Sequence, residues 1–202
     1  MIAEVNWMNM IYMGFKKVLI ETIGDSVAND IWHKAKTYTA SLKKQHPDIT
    51  GDSRMMILPA AGIYLALKEY APEEALPMLI AYGAQTGRKI RSVVHGITSV
   101  PRVPKLLWKH MPALMWKTSS PKAGYTRRIV SETSELVGVD ILSCPLHDAA
   151  VKIGLPEIAR VVCAMDKEYM TGFRHIQYTR TTSVAEGGEC CDYRLSYDEN
   201  KK

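Results

Sequence analysis

The sequence predicts an α+β fold, in which a helical N-terminal half is packed with a four-stranded, mainly antiparallel sheet in the C-terminal half. In the first part of the chain the apolar residues recur at three- and four-residue steps, which is the helical period. After Gly124 the pattern changes to short segments rich in β-branched residues, separated by polar turns. The 202 residues, 47% of them hydrophobic, can bury one sizeable core. We therefore expect a single domain over 1–202, with a helical part over 1–120 and a mixed part over 121–202.

Four helices are predicted in the helical part. Gly24 separates the first from the second, and a loop of turn residues over 46–53 separates the second from the third. Pro72 opens the fourth, with acids in its first turn, where they favour a helix N-terminus. The predicted helices cover about 7–22, 25–44, 54–70 and 72–94. The aromatic and methionine side chains of the first helix leave a homodimer contact open.

Positive charge is concentrated in the middle of the chain. Residues 75–131 hold ten Lys and Arg and no Asp or Glu; because the whole chain carries +5, the remainder carries −5. Such segregation favours a face that attracts a small anionic molecule, although solvated side chains on several faces are the alternative. No stacking or groove-reading motif accompanies the charge, so we expect no nucleic-acid partner.

The stretch 101–124 interleaves two tryptophans with Lys and His side chains. A basic segment of this kind can lie on an anionic membrane surface, dock a partner or cover a pocket. The prolines at 101, 104 and 112 argue against one long regular helix. We therefore expect an irregular or mobile wall over a pocket, and no membrane-surface role.

The mixed part reads as two strands, two helices and two further strands. A hairpin is predicted from strands at 125–130 and 136–142 around a polar turn. Pro145 and Pro156 open the two helices, because proline suits the first helical turn. The last two strands are predicted at 173–185 and 190–197, joined by a tight turn that contains Gly187 and Gly188.

Three of the four cysteines are candidates for chemistry. Cys144 precedes a predicted helix, whose dipole would lower the pKa of its thiol, so it could be a nucleophile or a metal ligand; simple packing is the alternative. Cys163 and Asp166 are three residues apart and share a helix face. Asp166 could act as a general base or bind a cationic substrate group, unless it lies at the rim and pairs with Lys167 or a strand arginine.

Side chains of the last strand alternate between two faces. This places Cys191 on the apolar face with Tyr193, and Asp192 and Arg194 on the other face. Cys190 is interpreted as packing. Adjacent cysteines and a low cysteine density favour reduced thiols.

A metal site is the weaker interpretation of these cysteines. Cys144, Cys163 and Cys191 with His147 or Asp166 would suit tetrahedral zinc, but the chain has no CxxC pair. We expect no cofactor, with zinc as the alternative. The N-terminal residues do not resemble a secretion signal and no apolar run is long enough to cross a bilayer, so the expected location is cytoplasmic.

The C-terminal block resembles the L-2-amino-thiazoline-4-carboxylic acid hydrolase family. The resemblance is carried by Cys144-Pro145, residues 154–157, Cys163 with Asp166, and residues 185–188 before 191–194. It is good over 143–195 and looser over the helical half. Membership implies hydrolysis of a carbon-nitrogen bond in a small anionic cyclic amidine, with opening of a thiazoline ring to a carbamoyl-cysteine product.

That reaction suggests roles for the candidates. Ring opening requires attack at the amidine carbon, a base, a proton for the leaving atom and a cation for the substrate carboxylate. The hypothesis assigns the nucleophile to Cys163 or Cys144, with Cys191 as a third thiol, and the base or amidinium anchor to Asp166. Asp192 would be a second carboxylate, and Arg180 or Arg194 would hold the substrate. The competing class is a small-ligand or metal-binding sensor module of the 4-vinyl reductase type, which binds without turnover.

Overall fold

The α+β fold class is confirmed by the computed structural model, which describes residues 7–200. In this part of the chain there are seven α-helices: α1 Trp7–Ile23, α2 Asp25–Gln45, α3 Gly51–Tyr70, α4 Ala75–Thr98, α5 Val103–Thr118, α6 Pro145–Lys152 and α7 Ala159–Met170. Four strands form one sheet: β1 Thr126–Glu132, β2 Leu136–Ser143, β3 Ile176–Thr179 and β4 Cys191–Tyr197.

The contacts of the chain group into two compact units. The helical unit comprises Met1–Tyr82 with Asp148–Val162, and the sheet unit comprises Gly83–His147 with Cys163–Lys202. The expectation of a single domain over 1–202 stays a prediction. Every candidate residue named from the sequence falls in the sheet unit.

The helical unit is held together by close packing of α2 against α3. A Cβ added at Gly62 would lie 2.1 Å from Thr39 Oγ1 and 2.7 Å from the Ala35 carbonyl oxygen. Only glycine allows this approach of the two helices. Large apolar side chains fill the core of this unit; those that are fully buried include Phe15, Leu19, Ile31, Ile57, Leu58, Ile63 and Leu67.

The sheet is antiparallel throughout, with the strand order β1-β2-β4-β3. Val139 lies opposite Tyr193 and Ile141 opposite Cys191, so these side chains share one face. Core residues of this face include Val139, Ile141, Cys191 and Leu195, each at most 5% exposed. This face therefore carries the buried side chains of the sheet unit, including the thiol of Cys191.

The irregular wall predicted over 101–124 is wrong, because most of this stretch is the regular helix α5. Pro104 lies in the first turn, where its missing N–H costs nothing, and only Pro112 lies inside the helix. Met111 is 1% exposed, and Trp108 and Met115 pack against the same core cluster. Burying these large side chains offsets the hydrogen bond that Pro112 removes, at about 1.5–3 kcal/mol for each fully buried apolar side chain.

The strand predicted over 173–185 is too long, and the glycine turn after it is confirmed only in part, because Gly187 has the expected positive φ of 86° but follows a 3-10 turn. β3 spans only Ile176–Thr179, and a 3-10 turn at Val184–Glu186 follows it. The backbone N–H groups of Thr181 and Thr182 donate to Asp192 Oδ1 at 2.8 and 2.7 Å instead of continuing the strand. The carboxylate of Asp192, at the start of β4, thus ends the neighbouring strand β3.

Candidate functional site

A buried polar cluster lies on the core face of the sheet unit. The Asp166 cluster consists of Asp166 and Tyr169 from α7, Tyr178 from β3, Arg180 just after β3, and Tyr193 from β4. Tyr193 donates its hydroxyl to Asp166 Oδ2 at 2.5 Å, and Arg180 Nη1 donates to the same oxygen at 3.4 Å. Asp166 is therefore a carboxylate held between a phenol and a guanidinium.

Arg180 is the most enclosed charge of the cluster, with a side chain only 5% exposed. Its Nη1 also donates to the Tyr193 hydroxyl oxygen at 3.1 Å, and its Nη2 donates to the Cys163 carbonyl oxygen at 3.2 Å. The guanidinium lies 5.5 Å from the centre of the Tyr193 ring. A buried cation needs such partners, and those of Arg180 fix the position of Asp166.

The tyrosines around Asp166 are neutral proton donors. Burial raises the pKa of Tyr193 well above its ordinary value, and the Asp166 charge raises it further. The same two causes raise the pKa of Tyr169, and also that of Tyr178. The Tyr178 and Tyr193 rings are 5.8 Å apart, and the buried hydroxyl of Tyr178 has no hydrogen-bond partner among the described residues.

Three thiols lie next to this cluster. Ser183 links two of them, because its hydroxyl donates to Cys163 Sγ at 3.9 Å and accepts from Cys191 Sγ at 3.7 Å. The backbone N–H of Val184 also donates to Cys191 Sγ at 3.4 Å. Cys144, immediately before α6, packs against the buried cluster that contains Cys191. The sequence thus correctly placed Cys144 at a helix start and Cys191 on the buried face.

Burial keeps the Cys163 thiol protonated. It raises the pKa of Cys163 to about 12, with Cys191 and Cys144 adding to the effect, while Arg180 and Ser183 partly oppose it. A thiolate at neutral pH would require the opposite shift. The four cysteines are free thiols, and Cys190, on the other face, is only partly buried.

Asp192 and Arg194 lie on the opposite face of the sheet from the thiols. Burial would raise the pKa of Asp192, but hydrogen bonds from Thr181 and Thr182 outweigh it and leave that pKa below its ordinary value. Arg194 Nη2 donates to Asp140 Oδ1 at 2.7 Å, and Arg128 Nη2 donates to Asp140 Oδ2 at 2.7 Å. Asp192 and Arg194 therefore have hydrogen-bond partners that do not belong to the Asp166 cluster.

The family model for L-2-amino-thiazoline-4-carboxylic acid hydrolase matches residues 54–195, more than half of the chain. The chain belongs to this family. The match includes the Asp166 cluster and all three thiols beside it. No curated protein matches the chain.

Among solved structures, similar ones include H-NOX proteins. The crystal structure of the Fe(II) unliganded H-NOX protein from K. algicida has 12% sequence identity and a TM-score of 0.39, with 95% of this chain and 97% of that chain covered. A mutant of the same protein gives 13% identity, the same coverage and the same TM-score. A third structure, from work on heme distortion in the H-NOX family, gives 11% identity, 96% coverage of both chains and a TM-score of 0.32.

The sequence analysis did not identify several residues of the candidate site in this member of the hydrolase family. Tyr193 shares a strand face with Cys191, and Tyr169 lies three residues after Asp166 on α7. The two-residue period of a strand and the helical period could therefore have identified these two tyrosines. Ser183 gave no such signal, because the predicted strand continues past Thr179, where β3 ends. Tyr178 lies in both the predicted and the observed strand and was not singled out.

Within residues 7–200, no group of three or more His, Cys, Asp or Glu side chains is arranged to hold a metal ion. The zinc set drawn from the sequence is thus not assembled. None of the described helices is both long and apolar enough to cross a membrane.

Proposed function

We propose that this member of the hydrolase family opens a small anionic cyclic amidine of the 2-amino-thiazoline-carboxylate type, with the Asp166 cluster as its catalytic centre. The observation that carries the proposal is the pair formed by Asp166 and Tyr193. A carboxylate that can take a proton lies 2.5 Å from a neutral phenol that can give one. General acid-base hydrolysis needs such a pair next to the reacting carbon.

In the proposed reaction, water attacks the amidine carbon and Asp166 takes one of its protons. A carbon-oxygen bond forms, and the ring carbon-nitrogen bond breaks as its electron pair moves to nitrogen. Tyr193 protonates that nitrogen and recovers a proton from Asp166 through their hydrogen bond. The same pair then carries the second proton of the water from the new hydroxyl group to an amidine nitrogen, which leaves a carbonyl group. The net change is the addition of one water, which leaves the cluster in its starting protonation state, so no cofactor is proposed.

In this proposal the attacking nucleophile is water and not the Cys163 thiol. With a pKa raised to about 12, the Cys163 thiol is almost entirely protonated at neutral pH. Cys163 and Cys191 would then line the site, and Cys144 is kept as the alternative nucleophile. The unpaired hydroxyl of Tyr178 offers a further donor to the substrate.

Arg180 is proposed as a positioning residue and not as the group that holds the substrate carboxylate. Its guanidinium already donates to Asp166, Tyr193 and the Cys163 carbonyl oxygen. The charge of Arg180 would stabilise the phenolate that Tyr193 forms briefly during proton transfer.

The competing function is a small-ligand or metal-binding sensor module without turnover. The observation in its favour is the same protonated Cys163 thiol, because a packed thiol can form the wall of a binding site as well as that of an active site. A sensor would bind a cyclic amidine or a metal and release it unchanged.

The test is incubation of the purified protein with 2-amino-thiazoline-4-carboxylate in ¹⁸O-labelled water, with products identified by mass spectrometry. We expect S-carbamoyl-cysteine carrying one ¹⁸O, because cleavage of the ring carbon-nitrogen bond leaves the carbamoyl group on sulfur. Asp166→Asn should lower kcat by about 10²-fold or more, whereas Asp192→Asn, a matched change on the opposite face, should change it little. Binding without product by the wild-type protein would favour the sensor module, and an unaffected Asp166→Asn would exclude the Asp166 cluster as the catalytic centre.

A further inference from the structure

A cavity lies in the sheet unit, at the end of β3 opposite to Arg180. This basic groove has a volume of about 420 Å³ and is formed by residues 98–102, 104–105 and 174–175 with Tyr197. Its walls come from the end of α4, the first turn of α5, the approach to β3 and the end of β4. A volume of this size falls in the range of sites for small molecules.

The lining of the basic groove is positively charged. Arg102, Lys105 and Arg174 contribute three cations, His175 adds a titratable ring, and no Asp or Glu belongs to the lining. Two acids follow Tyr197 in the chain. The backbone N–H of Asp198 donates to the His175 carbonyl oxygen at 2.7 Å, and the charge of Glu199 adds to the effect of burial that raises the pKa of Tyr197. Cations gathered around a concave surface without acids attract and hold an anion.

Arg174, which lines the basic groove, also has a donor without a hydrogen-bond partner within residues 7–200. Its Nε is buried and has no partner in the part of the chain that the structure describes. The backbone N–H of the same residue donates to Thr98 Oγ1 at 3.2 Å, which ties this wall to the end of α4. A buried donor left without an acceptor is unfavourable, so this wall of the groove is not optimised for packing alone.

The backbone is strained at the same place. Among the described residues only Arg102 and His175 combine a side chain with a positive φ, at 72° and 61°. Both line the basic groove. Non-glycine residues held in this region cost free energy, and they are found preferentially where a ligand site requires the geometry.

We propose that the basic groove binds the phosphate group of a small phosphate ester. Three cations without a lining acid match a dianion better than a single carboxylate, and guanidinium groups bind phosphate through paired hydrogen bonds. Val100, Pro101 and Tyr197 provide apolar surface for the organic part of the ester. The Arg174 guanidinium supplies one of the three cations for the phosphate.

This site is separate from the proposed catalytic centre. His175 and Arg180 lie at the two ends of the four-residue strand β3, so they are separated by roughly 16 Å at the usual rise of an extended strand. A small cyclic amidine cannot reach both places. The basic groove therefore adds a second ligand, and its existence does not depend on the proposed hydrolysis.

The test uses phenyl phosphate as the probe and benzenesulfonate as a control of similar shape with one negative charge. Calorimetry should give a Kd for phenyl phosphate of about 1 mM or tighter, and at least about tenfold tighter than for benzenesulfonate. Backbone NMR shifts should be confined to residues 98–105, 174–175 and 197. Equal affinity for both probes, or shifts around Asp166 instead, would overturn the proposal.

Two substitutions on α5 provide a matched pair. Lys105→Gln removes a cation that lines the basic groove, and Lys109→Gln removes a cation one turn later that does not line it. Lys105→Gln should weaken phenyl phosphate binding by about tenfold, whereas Lys109→Gln should change it less than about twofold. Arg174→Met should nearly abolish binding; if that variant does not fold, the Lys105 and Lys109 pair decides, and equal effects of the two would contradict the proposal.

Discussion

Tyr193 and Asp166 share one short hydrogen bond, with the Tyr193 hydroxyl 2.5 Å from Asp166 Oδ2. The bond joins β4 to α7 and sets the direction in which the phenol can give its proton. It connects the packing of the sheet unit to its proposed chemistry.

Removal of the Tyr193 hydroxyl tests its role in stability and its role as proton donor. Tyr193→Phe should lower the free energy of unfolding by about 1.5–3 kcal/mol, because the bond to a charged acceptor is lost. It should also lower kcat by about 10²-fold, because the leaving nitrogen loses its proton donor. Urea denaturation and turnover measure the two effects. Tyr197→Phe, on the same strand face, is the control; an equal fall in turnover for that variant would contradict a specific role of Tyr193.

The buried thiol of Cys163 should make the stability of the protein depend on pH in the alkaline range. Its folded-state pKa of about 12 lies above the ordinary value of 9.0, because burial disfavours the thiolate. The unfolded chain therefore loses this proton first, and the contribution of Cys163 to stability is present below pH 9 and lost as the pH rises towards 12. Buried tyrosines with raised pKa values act in the same direction, so a matched variant is required.

The measurement compares the wild-type protein with Cys163→Ala between pH 8 and 11 by urea denaturation. Above pH 9 the wild-type stability should fall more steeply, by up to about 1.4 kcal/mol for each pH unit. Cys163→Ala should keep only the part of the slope that comes from tyrosines. Parallel curves for the two proteins would show that the Cys163 thiol ionises equally in the folded and unfolded states.

Sequence periodicity predicted most of the architecture because burial repeats with the period of each element. The helical rhythm located α1 to α4, and the alternation in β4 identified Cys191 as the buried thiol. Pro156 predicted the start of the helix α7, and the three-residue spacing placed Cys163 and Asp166 on one face of it. These features depend on contacts between residues close together in the sequence, so the sequence pattern alone can predict them.

Long-range contacts account for what the sequence did not predict. The helix α5 forms despite Pro112 because Met111 and its neighbours are covered by a core that distant strands provide. β3 ends early because Asp192, more than ten residues later, takes the N–H groups of Thr181 and Thr182. The partners of Arg180 and the basic groove likewise come from segments far apart in the chain.

Arg194 offers a way to separate a structural role from a substrate-binding role. Its guanidinium donates to Asp140 Oδ1 and to the carbonyl oxygens of Val139 and Tyr193. Arg194→Met should therefore lower the free energy of unfolding by about 1–3 kcal/mol and leave KM unchanged. Denaturation and steady-state kinetics give the two values. A tenfold rise in KM with unchanged stability would restore Arg194 as the group that holds the substrate.

Two glycines of α4 should respond in opposite directions to alanine. A Cβ at Gly87 would lie 2.3 Å from the Met165 carbonyl oxygen, whereas a Cβ at Gly96 would meet nothing within 4 Å. Gly87→Ala should cost about 2–3 kcal/mol of stability, because the backbone of α7 must move. Gly96→Ala should gain up to about 1 kcal/mol from helix propensity. Equal melting behaviour of the two variants would contradict the close approach of α4 to α7.

Arg102 connects backbone strain with the basic groove. At a φ of 72°, a residue with a Cβ is disfavoured and glycine is not. Arg102→Gly and Arg102→Ala remove the same cation, but only glycine relieves the strain, so the glycine variant should be more stable than the alanine variant by about 1 kcal/mol. Both should weaken phenyl phosphate binding equally, by about tenfold, because both lose the guanidinium. Chemical denaturation and calorimetry on the two variants check this, and wild-type affinity in either of them would mean that Arg102 holds its strained geometry for a reason other than this anion.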